Sequence, residues 1–469
     1  MIFNSLQYAL FLPLVVGLYW TLPQRFRTPL LLAASYVFYG AWDWRFLGLL
    51  LVSTVVDYSV GRGLEATDDE GRRKRLLLVS IAVNLSILGF FKYADFFIDS
   101  AQEMLGSMGL EAGDASLRFI LPVGISFYTF QTMSYSFDVY RRRIPACREP
   151  LTFAVFVAFF PQLVAGPIER ARQLLPQLSA VREPPGADRV RSALALIVLG
   201  LVKKVVLADQ VAPYVNEVFS EPGQAGSVAL VVAVVGFALQ IYGDFSGYTD
   251  IARGSARLLS VELIHNFRQP YLSPNITDFW RRWHISLSNW LRDYLYIPLG
   301  GNRGSHWQTY RNLMITMLLG GLWHGAGWTF VIWGGLHGLY LAVDRAWRFD
   351  TGDRAPRSLV TGLLSTLATF GLVCFAWIFF RAADLGEAFD IIGGIVSLSG
   401  PAPEASALWV TALVGGAMLA IDLVTRRSRD PVAALHRHPE LAGTLLGVVA
   451  VGLIVAAGTD AVPFIYFQF

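Results

Sequence analysis

Two histidines lie in segments whose residue types favour chemistry. His284 ends the run Trp280-Arg281-Arg282-Trp283-His284, and His324 lies within Gly321-Leu322-Trp323-His324-Gly325. Ionisable groups inside an otherwise apolar chain are costly at membrane depth, so they mark candidate functional sites. A neutral imidazole near pH 7 can accept a proton from a hydroxyl group. The two segments therefore predict proton abstraction from an alcohol, as in acyl transfer.

His324 is the stronger candidate for a catalytic base. It follows the apolar run Leu313–Leu322, and no carboxylate stands beside it in the sequence. The glycines around it permit close approach of backbone or ligand. A histidine that only packs is the competing interpretation. His337, which is also flanked by glycines, is predicted to be structural.

The segment around His284 has the pattern of a helix that begins after Pro274. Asn275 can cap it, Asp278 follows near the positive end of the helix dipole, and the helix is predicted to run through Leu291. Trp280, Trp283 and His284 would then share one face with leucines. A hydrogen-bonded structural histidine is the alternative for His284.

Arg281 and Arg282 lie towards the other side of this predicted helix, where a phosphate group could bind them. Interfacial anchoring of each arginine is the competing interpretation. Trp323 precedes His324 directly, so we include it with Trp283 among the supporting residues of the site.

A second polar segment, Tyr242–Asp250, ends an apolar run and contains Asp244 and Tyr248. It could line a polar path through the protein, and we expect Asp244 and Asp250 to pair with buried arginines.

No metal site is predicted, because the two cysteines, Cys147 and Cys374, stand far apart without metal-binding spacing. The remaining histidines are expected to face solvent: His265, His306, His436 and His438.

Composition places these segments in a membrane protein. The chain has 469 residues, of which 54% are hydrophobic and 16% charged, and its mean hydropathy is +0.48. This is too apolar for an ordinary soluble domain. The net charge of +3 and the scattered basic clusters exclude nucleic acid as an expected partner. No P-loop, dinucleotide fingerprint, serine-hydrolase elbow or HExxH zinc motif occurs.

Apolar runs recur along the whole chain and predict an all-α, polytopic fold with about 11–13 membrane segments. Short runs such as Leu151–Phe160 and Leu313–Leu322 are expected to be re-entrant or broken helices. We expect a single integral-membrane domain, 1–469, with a catalytic core at about 119–343. The runs are Leu6–Trp20, Pro29–Tyr39, Phe46–Val60, Leu76–Phe91, Phe119–Phe137, Leu151–Phe160, Ala193–Leu207, Val228–Tyr242, Leu313–Leu322, Thr329–Val343, Leu359–Phe379, Trp409–Val424 and Leu441–Ala456.

Basic loops predict the orientation, because Lys and Arg collect on the cytoplasmic side. Arg25 and Arg27, the cluster Arg72–Arg75, and the cluster Arg141–Arg143 follow the first, third and fifth runs. The N-terminus is therefore predicted to lie outside the cytoplasm. Two later basic clusters fall in the cytoplasm only if one of the two short runs fails to cross: Arg345, Arg348, Arg354 and Arg357, and Arg426 and Arg427. The C-terminal Phe469 is then predicted to lie outside the cytoplasm.

With these residues in view, the chain resembles the membrane-bound O-acyltransferase (MBOAT) superfamily. Within it, the branch of bacterial alginate O-acetyltransferase membrane subunits is the most similar. The resemblance covers nearly the whole chain and is strongest in three blocks: Tyr242–Ala252, Asn266–Asn302 and Leu318–Gly338.

The resemblance implies a helical fold around a central tunnel, with His324 as the essential histidine and His284 as a second polar position. It implies a cytoplasmic thioester donor such as acetyl-CoA, with no bound cofactor, and an acceptor that is a cell-envelope or exported polysaccharide. An extracytoplasmic partner with a serine-esterase-like fold is implied as well, and the location is the bacterial inner membrane. Arg141 and Arg142 join Arg281 and Arg282 as implied phosphate contacts.

Other functions remain open from the sequence. A D-alanyl transferase of the same superfamily would take its acyl group from a carrier-protein thioester, but its block corresponding to Pro298–Asn302 differs more. A transporter of polysaccharides or small molecules would also have broken helices and buried charge, although we find no internal repeat. A scaffold for a separate acyltransferase would make both histidines dispensable.

Overall fold

The computed structural model describes residues 1–110, 117, 120–163, 166–351, 358–426 and 464–465. These residues form helices and connecting segments, and none of them lies in a β-strand. The all-α prediction is confirmed. The apolar runs predicted between Leu6 and Val424 lie largely within helices, because lipid-facing backbone must satisfy its own hydrogen bonds. The predicted run Leu441–Ala456 and the C-terminal Phe469 lie outside the described residues.

Five continuous helical stretches in the described part of the chain are long and apolar enough to cross a membrane. Two of them combine successive helices, so one stretch can contain more than one of the predicted runs. The larger number of crossings and the central tunnel stay predictions. The five are Gln24–Glu65, Glu70–Ser107, Ser227–Leu258, Leu359–Arg381 and Ala405–Thr425.

The chain folds into two compact units. The first comprises Met1, Ser5–Gly186 and Ala256–Leu263. The predicted single domain stays a prediction, since compactness of two units does not decide whether they fold independently. The helices of the first unit are α1 (Leu6–Thr21), α2 (Gln24–Asp43), α3 (Leu47–Glu65), α4 (Glu70–Leu88), α5 (Ala94–Ser107), α6 (Ile125–Tyr140), α7 (Pro150–Ala158), α8 (Phe160–Leu163) and α9 (Ala171–Ser179).

A buried hydrogen-bond network joins α3, α4 and α6 in the first unit. The Asp57 carboxylate accepts hydrogen bonds from Ser80 Oγ at 2.5 Å, Ser136 Oγ at 2.6 Å and Asn84 Nδ2 at 2.7 Å. All four residues are almost completely buried. Buried polar groups must be hydrogen-bonded to avoid a large desolvation cost, so this network fixes how the three helices pack.

The second unit comprises Ile2–Asn4, Ala187–Ser255 and Ile264–Phe469 and contains both histidine segments. A π-helical segment, Val202–Ala208, connects its first two helices, and another, Arg292–Tyr296, follows α14. Its helices are α10 (Ala187–Leu201), α11 (Asp209–Ser220), α12 (Ser227–Leu258, whose last three residues group with the first unit), α13 (Ile276–Arg282), α14 (Ile285–Leu291), α15 (His306–His324), α16 (Trp328–Thr351), α17 (Leu359–Arg381), α18 (Leu385–Val396) and α19 (Ala405–Thr425).

Glycines allow α15 and α16 to approach each other closely. A Cβ atom at Gly321 would overlap the Phe330 carbonyl, and one at Gly334 would overlap the Met317 carbonyl. Only residues without a side chain fit this contact. The predicted close approach around His324 is thus observed as backbone packing between two helices.

Candidate active site

His324 is the last residue of α15, and its side chain is 3% exposed. Its imidazole ring lies against Trp333 at 5.0 Å and Phe380 at 5.2 Å between ring centroids, both edge-to-face. The following residue, Gly325, has no room for a side chain because a Cβ would overlap the Phe330 ring. The end of α15 therefore holds the imidazole in an enclosure of aromatic rings.

His284 lies between two helices, which corrects the prediction of one helix through Leu291. The helix ends at Arg282, Trp283 is extended, and His284 has a left-handed backbone with φ of 41° before α14 begins. A second segment of the chain causes the break. The amide of Ile285 donates to the carbonyl of Asn266 at 2.9 Å.

The same segment supplies two further hydrogen bonds at the break. The Ser286 amide donates to Oδ1 of Asn266 at 3.2 Å, and the Arg268 amide donates to the Arg282 carbonyl at 3.0 Å. Backbone groups that a continuous helix would pair internally are satisfied by residues 266–268 instead. This interaction depends on a contact distant in sequence, so helical periodicity could not reveal it.

The break turns the His284 side chain towards His324. The two imidazole centroids lie 6.3 Å apart. His284 is completely buried, with the Phe245 ring at 4.7 Å and the Trp323 ring at 5.7 Å. It stands outside the membrane-crossing stretches, and burial lowers the pKa of its imidazole from 6.5 to about 3. His284 is therefore neutral at physiological pH and can act as an acceptor or an N–H donor without carrying charge.

The two supporting tryptophans lie beside the histidines. Trp323 has its ring 5.0 Å from His324 and close to His284. Trp283 is completely buried and belongs to an aromatic cluster, with ring centroids of Phe267 at 5.0 Å and Trp377 at 5.1 Å. Rings of this size fix the position of the adjacent backbone, because they fill most of the space between the helices.

His337 has a structural contact of the predicted kind. The indole N–H of Trp280 donates to Nδ1 of His337 at 3.3 Å, and the Trp333 ring packs against the imidazole at 4.8 Å. An acceptor at Nδ1 places the proton of the neutral ring on Nε2. His337 thereby orients Trp280 and Trp333, the latter of which also contacts His324.

The predicted start of the helix before Trp280 is confirmed. Oδ1 of Asn275 accepts from the Asp278 amide at 2.8 Å, and α13 begins directly after this cap. Arg282 pairs with Asp278 at 2.7 Å, whereas Arg281 is exposed. In the first unit, exposed Arg142 pairs with Asp68 at 2.6 Å. The phosphate-binding roles of these arginines, and of Arg141, stay predictions.

Of the two carboxylates in the Tyr242–Asp250 segment, Asp250 has the expected buried arginine partner and Asp244 does not. Asp244 pairs with Lys204 at 3.0 Å and also accepts from the Ile465 amide at 2.7 Å. The expected arginine partner of Asp244 is wrong. Asp250 pairs with Lys203 at 2.7 Å and with one arginine, Arg253, at 3.4 Å.

Lysines are the nearest cations to these two carboxylates, because the π-helical segment Val202–Ala208 brings Lys203 and Lys204 next to α12. The signal available in the sequence was a pair of lysines inside the apolar run Ala193–Leu207, which sequence reasoning did not use.

His265 was expected to face solvent, but it is half-buried and its Nε2 lies 3.2 Å from Nη2 of Arg253. His306 is exposed as expected, and His436 and His438 lie outside the described residues.

Tyr248 anchors the start of the chain. Its hydroxyl donates to Oδ1 of Asn4 at 3.2 Å, and its ring stacks on Phe464 at 4.1 Å and Phe3 at 5.4 Å. These contacts, like the ion pair of Asp244, give both residues a role in packing. Neither is brought to the histidine pair by a contact in the described residues, and their part in substrate binding stays a prediction.

Among the described residues, no group of three or more His, Cys, Asp or Glu side chains has the arrangement of a metal site. The chemistry that the site itself offers is that of two buried imidazoles. One can remove a proton from a hydroxyl while the other donates its N–H to a developing oxyanion, as acyl transfer requires.

Comparison with known proteins identifies the family. The profile described as MBOAT, membrane-bound O-acyltransferase family, matches residues 42–379. The probable alginate O-acetylase AlgI of Azotobacter vinelandii is 45% identical over 399 residues, which cover 85% of this chain and 78% of that protein. The chain belongs to the membrane-bound O-acyltransferase family. It is accordingly an O-acyltransferase and a multi-pass membrane protein.

Two further relatives show how the family similarity varies. The peptidoglycan O-acetyltransferase of Helicobacter pylori is 37% identical over 420 residues, covering 83% of this chain and 78% of that protein. The teichoic acid D-alanyltransferase of Bacillus subtilis is 27% identical over 281 residues, covering 55% of this chain and 68% of that protein. This O-acyltransferase is thus more similar to the O-acetyltransferases than to the D-alanyltransferase.

Proposed function

We propose that this chain moves an acetyl group from a cytoplasmic thioester, acetyl-CoA, across the inner membrane to a hydroxyl of an exported or cell-envelope polysaccharide. The observation that carries the proposal is the burial of His284 and His324 in one aromatic enclosure, 6.3 Å apart. Relatives named for alginate and peptidoglycan O-acetylation support the acetyl group and the sugar hydroxyl.

His324 is the proposed general base. Its imidazole removes the proton of the acceptor hydroxyl while the alcohol oxygen attacks the thioester carbonyl. A C–O bond forms, the C–S bond breaks, and the thiolate takes the proton from the imidazolium as it leaves. A neutral imidazole suits this step, because it is regenerated when the imidazolium gives its proton to the thiolate.

His284 is proposed to polarise the thioester carbonyl. Burial keeps it neutral, so one ring nitrogen carries a proton that it can donate to the developing oxyanion. Its left-handed backbone, which the Asn266 contacts support, directs the ring towards the same enclosure as His324. The surrounding aromatic rings exclude water, which strengthens this hydrogen bond.

The donor and the direction of transfer follow from the proposed orientation. Basic loops on the cytoplasmic side put both termini outside and let a phosphate-bearing donor enter from the cytoplasm. The acetyl group then reaches an acceptor hydroxyl of the polysaccharide or of an extracytoplasmic, serine-esterase-like partner. A carrier-protein thioester is the second candidate donor, because the resemblance to the D-alanyl transferase branch implies a donor of that kind.

The test is acetyl transfer by the purified protein in nanodiscs. Radiolabelled acetyl-CoA is supplied with an oligosaccharide acceptor, and label is followed on protein, sugar and water. We expect label to leave acetyl-CoA with wild type and with Arg25→Gln, a control in an exposed residue, but not with His324→Ala. If wild type binds acetyl-CoA without transfer and instead uses an acyl carrier protein, the donor assignment is wrong.

A further inference from the structure

Two cavities of the second unit meet at one hydrogen bond. An apolar cavity of about 530 Å³ lies between α12, α17 and α19, and a polar cavity of about 330 Å³ lies beside it. Tyr242 and Asp422 line both. The Tyr242 hydroxyl donates to Oδ1 of Asp422 at 2.7 Å, so this pair is the shared wall.

The lining of the apolar cavity has the composition of a surface that contacts membrane hydrocarbon. Each of its three helices belongs to a stretch that is long and apolar enough to cross. Several of its lining leucines are exposed, including Leu363 at 59%, Leu367 at 56% and Leu419 at 47%. Leucines exposed on helices that cross a membrane contact lipid chains, so an acyl chain could enter this cavity from the bilayer if the three helices cross it.

The polar cavity has an excess of positive charge. Four cations line it, namely Lys203, Arg253, Arg268 and Arg426, and they outnumber the two carboxylates of Asp250 and Asp422 by two.

The cations of this cavity divide into paired and unpaired groups. Asp250 pairs with Lys203 at 2.7 Å and with Arg253 at 3.4 Å. Arg268 and Arg426 are exposed, and neither forms an ion pair within the described part of the chain. These two arginines are therefore available to an anionic group.

The apolar cavity extends along most of α19 and ends at the polar cavity. This helix has 21 residues and is thus about 30 Å long, the thickness of a hydrocarbon core. Its apolar-cavity residues extend from Leu408 to Asp422, a rise of roughly 21 Å at 1.5 Å per residue, about two thirds of that core. Its polar-cavity residues, Asp422, Thr425 and Arg426, stand at the end, where lipid headgroups lie.

We infer that these two cavities together form a binding site for an anionic phospholipid. One acyl chain lies in the apolar cavity and the phosphate lies against Arg268 and Arg426. Basic pockets between membrane helices recognise headgroups of this kind. The apolar cavity is not needed for an acetyl group, and a soluble phosphate compound would leave it unfilled. The inference does not depend on the donor or acceptor proposed above.

The test is lipid binding to the delipidated, full-length protein, counted by native mass spectrometry. Palmitoyl-oleoyl phosphatidylglycerol and phosphatidylcholine are the probes, because their acyl chains are identical and their headgroups differ in charge. We expect one phosphatidylglycerol to bind about tenfold more tightly than phosphatidylcholine, since each nearby arginine favours an anionic lipid.

Two kinds of variant separate the two parts of the site. Gly416→Leu fills the apolar cavity, where a Cβ meets no atom within 4 Å. The double variant Arg268→Gln/Arg426→Gln removes the unpaired charges. We expect either change to weaken phosphatidylglycerol binding at least about fivefold. Gly371→Leu, whose Cβ also meets nothing within 4 Å but which lines neither cavity, and Arg25→Gln are the matched controls.

Three results would overturn the inference. Equal binding of the two lipids would show an apolar groove without headgroup recognition. Wild-type affinity in both the Gly416→Leu protein and the double arginine variant would place the bound lipid elsewhere. Displacement of phosphatidylglycerol by CoA would assign the polar cavity to the donor. In that last case acetyl transfer, measured separately, would still proceed and the proposed function would stand.

Discussion

The buried carboxylate of Asp57 and the buried imidazoles of His284 and His324 lie in different surroundings. Asp57 accepts three hydrogen bonds from Ser80, Ser136 and Asn84 on neighbouring helices. The two histidines are enclosed by aromatic rings, and their own centroids lie 6.3 Å apart. Both regions are almost fully buried.

This is the difference expected between a polar group that holds helices together and one that takes part in the proposed reaction. Hydrogen bonds to a carboxylate from three side chains leave little capacity for a substrate, so Asp57 serves packing. Aromatic walls supply shape and exclude water, and an imidazole can both accept and donate a proton near neutral pH. Substitutions in the first region should lower stability, and substitutions in the second should lower turnover.

The largest effect is expected for His324→Gln, which removes the proposed base but keeps much of the side-chain volume. Acetyl transfer should fall by about 10²–10⁴-fold, the usual contribution of general base catalysis. The melting curve of the purified protein should stay close to that of wild type. A variant that retains more than a tenth of wild-type turnover would remove His324 from the mechanism.

Asp57→Ala should produce the opposite result. It leaves three buried donors without their acceptor, at about 1–3 kcal/mol for each unsatisfied group. Thermal unfolding in detergent should therefore occur at a clearly lower temperature, while the turnover of the molecules that remain folded stays near wild type. Asp57→Asn, which keeps one acceptor oxygen, serves as the control and should lose less stability. A loss of turnover in Asp57→Ala without a loss of stability would contradict the assignment of Asp57 to packing.

His284→Asn should reduce turnover by about 10²-fold, as removal of one oxyanion donor does in other enzymes. Asparagine tolerates the left-handed backbone at this position better than most residues. A loss of activity in this variant would therefore result from removal of the imidazole and not from a change in the backbone. Steady-state kinetics should show a lower kcat with little change in KM. An unchanged kcat would restrict His284 to packing.

The smallest effect concerns pH. Burial lowers the pKa of His284 to about 3, so it should contribute no inflection to the rate profile between about pH 5 and 8. In the unfolded chain its pKa is near 6.5. The stability linked to His284 is therefore complete above about pH 6.5 and is lost as the pH falls towards 3. Melting temperatures of wild type and His284→Asn should converge as the pH is lowered, and a constant difference would contradict this linkage.

Local patterns predicted much of this molecule. The apolar runs up to Val424 lie largely in helices, and Asn275 caps α13 as its residue type and spacing indicated. The two candidate histidines were recognised from their neighbours in sequence. Each of these conclusions needed only periodicity, capping preference or composition within a short segment.

Other features required contacts between distant segments. The helix predicted through Leu291 breaks at His284 because Asn266 takes over its backbone hydrogen bonds. Asp244 pairs with Lys204 rather than an arginine, and Tyr242 meets Asp422 across 180 residues. Periodicity cannot predict which of these side chains pair, because the chain contains many cations and carboxylates that could form an ion pair.

The sequence by itself determined that this chain is helical and apolar enough for a membrane, and it singled out two histidines for which proton transfer is predicted. Hydrophobic periodicity and residue chemistry are local properties, so they can be read from neighbouring positions. Only the tertiary structure brought His284 and His324 into one enclosure and joined the two cavities at Tyr242 and Asp422. Those arrangements arise from packing and hydrogen bonds between segments far apart in the chain, where shape and satisfied polar groups select one pairing among many.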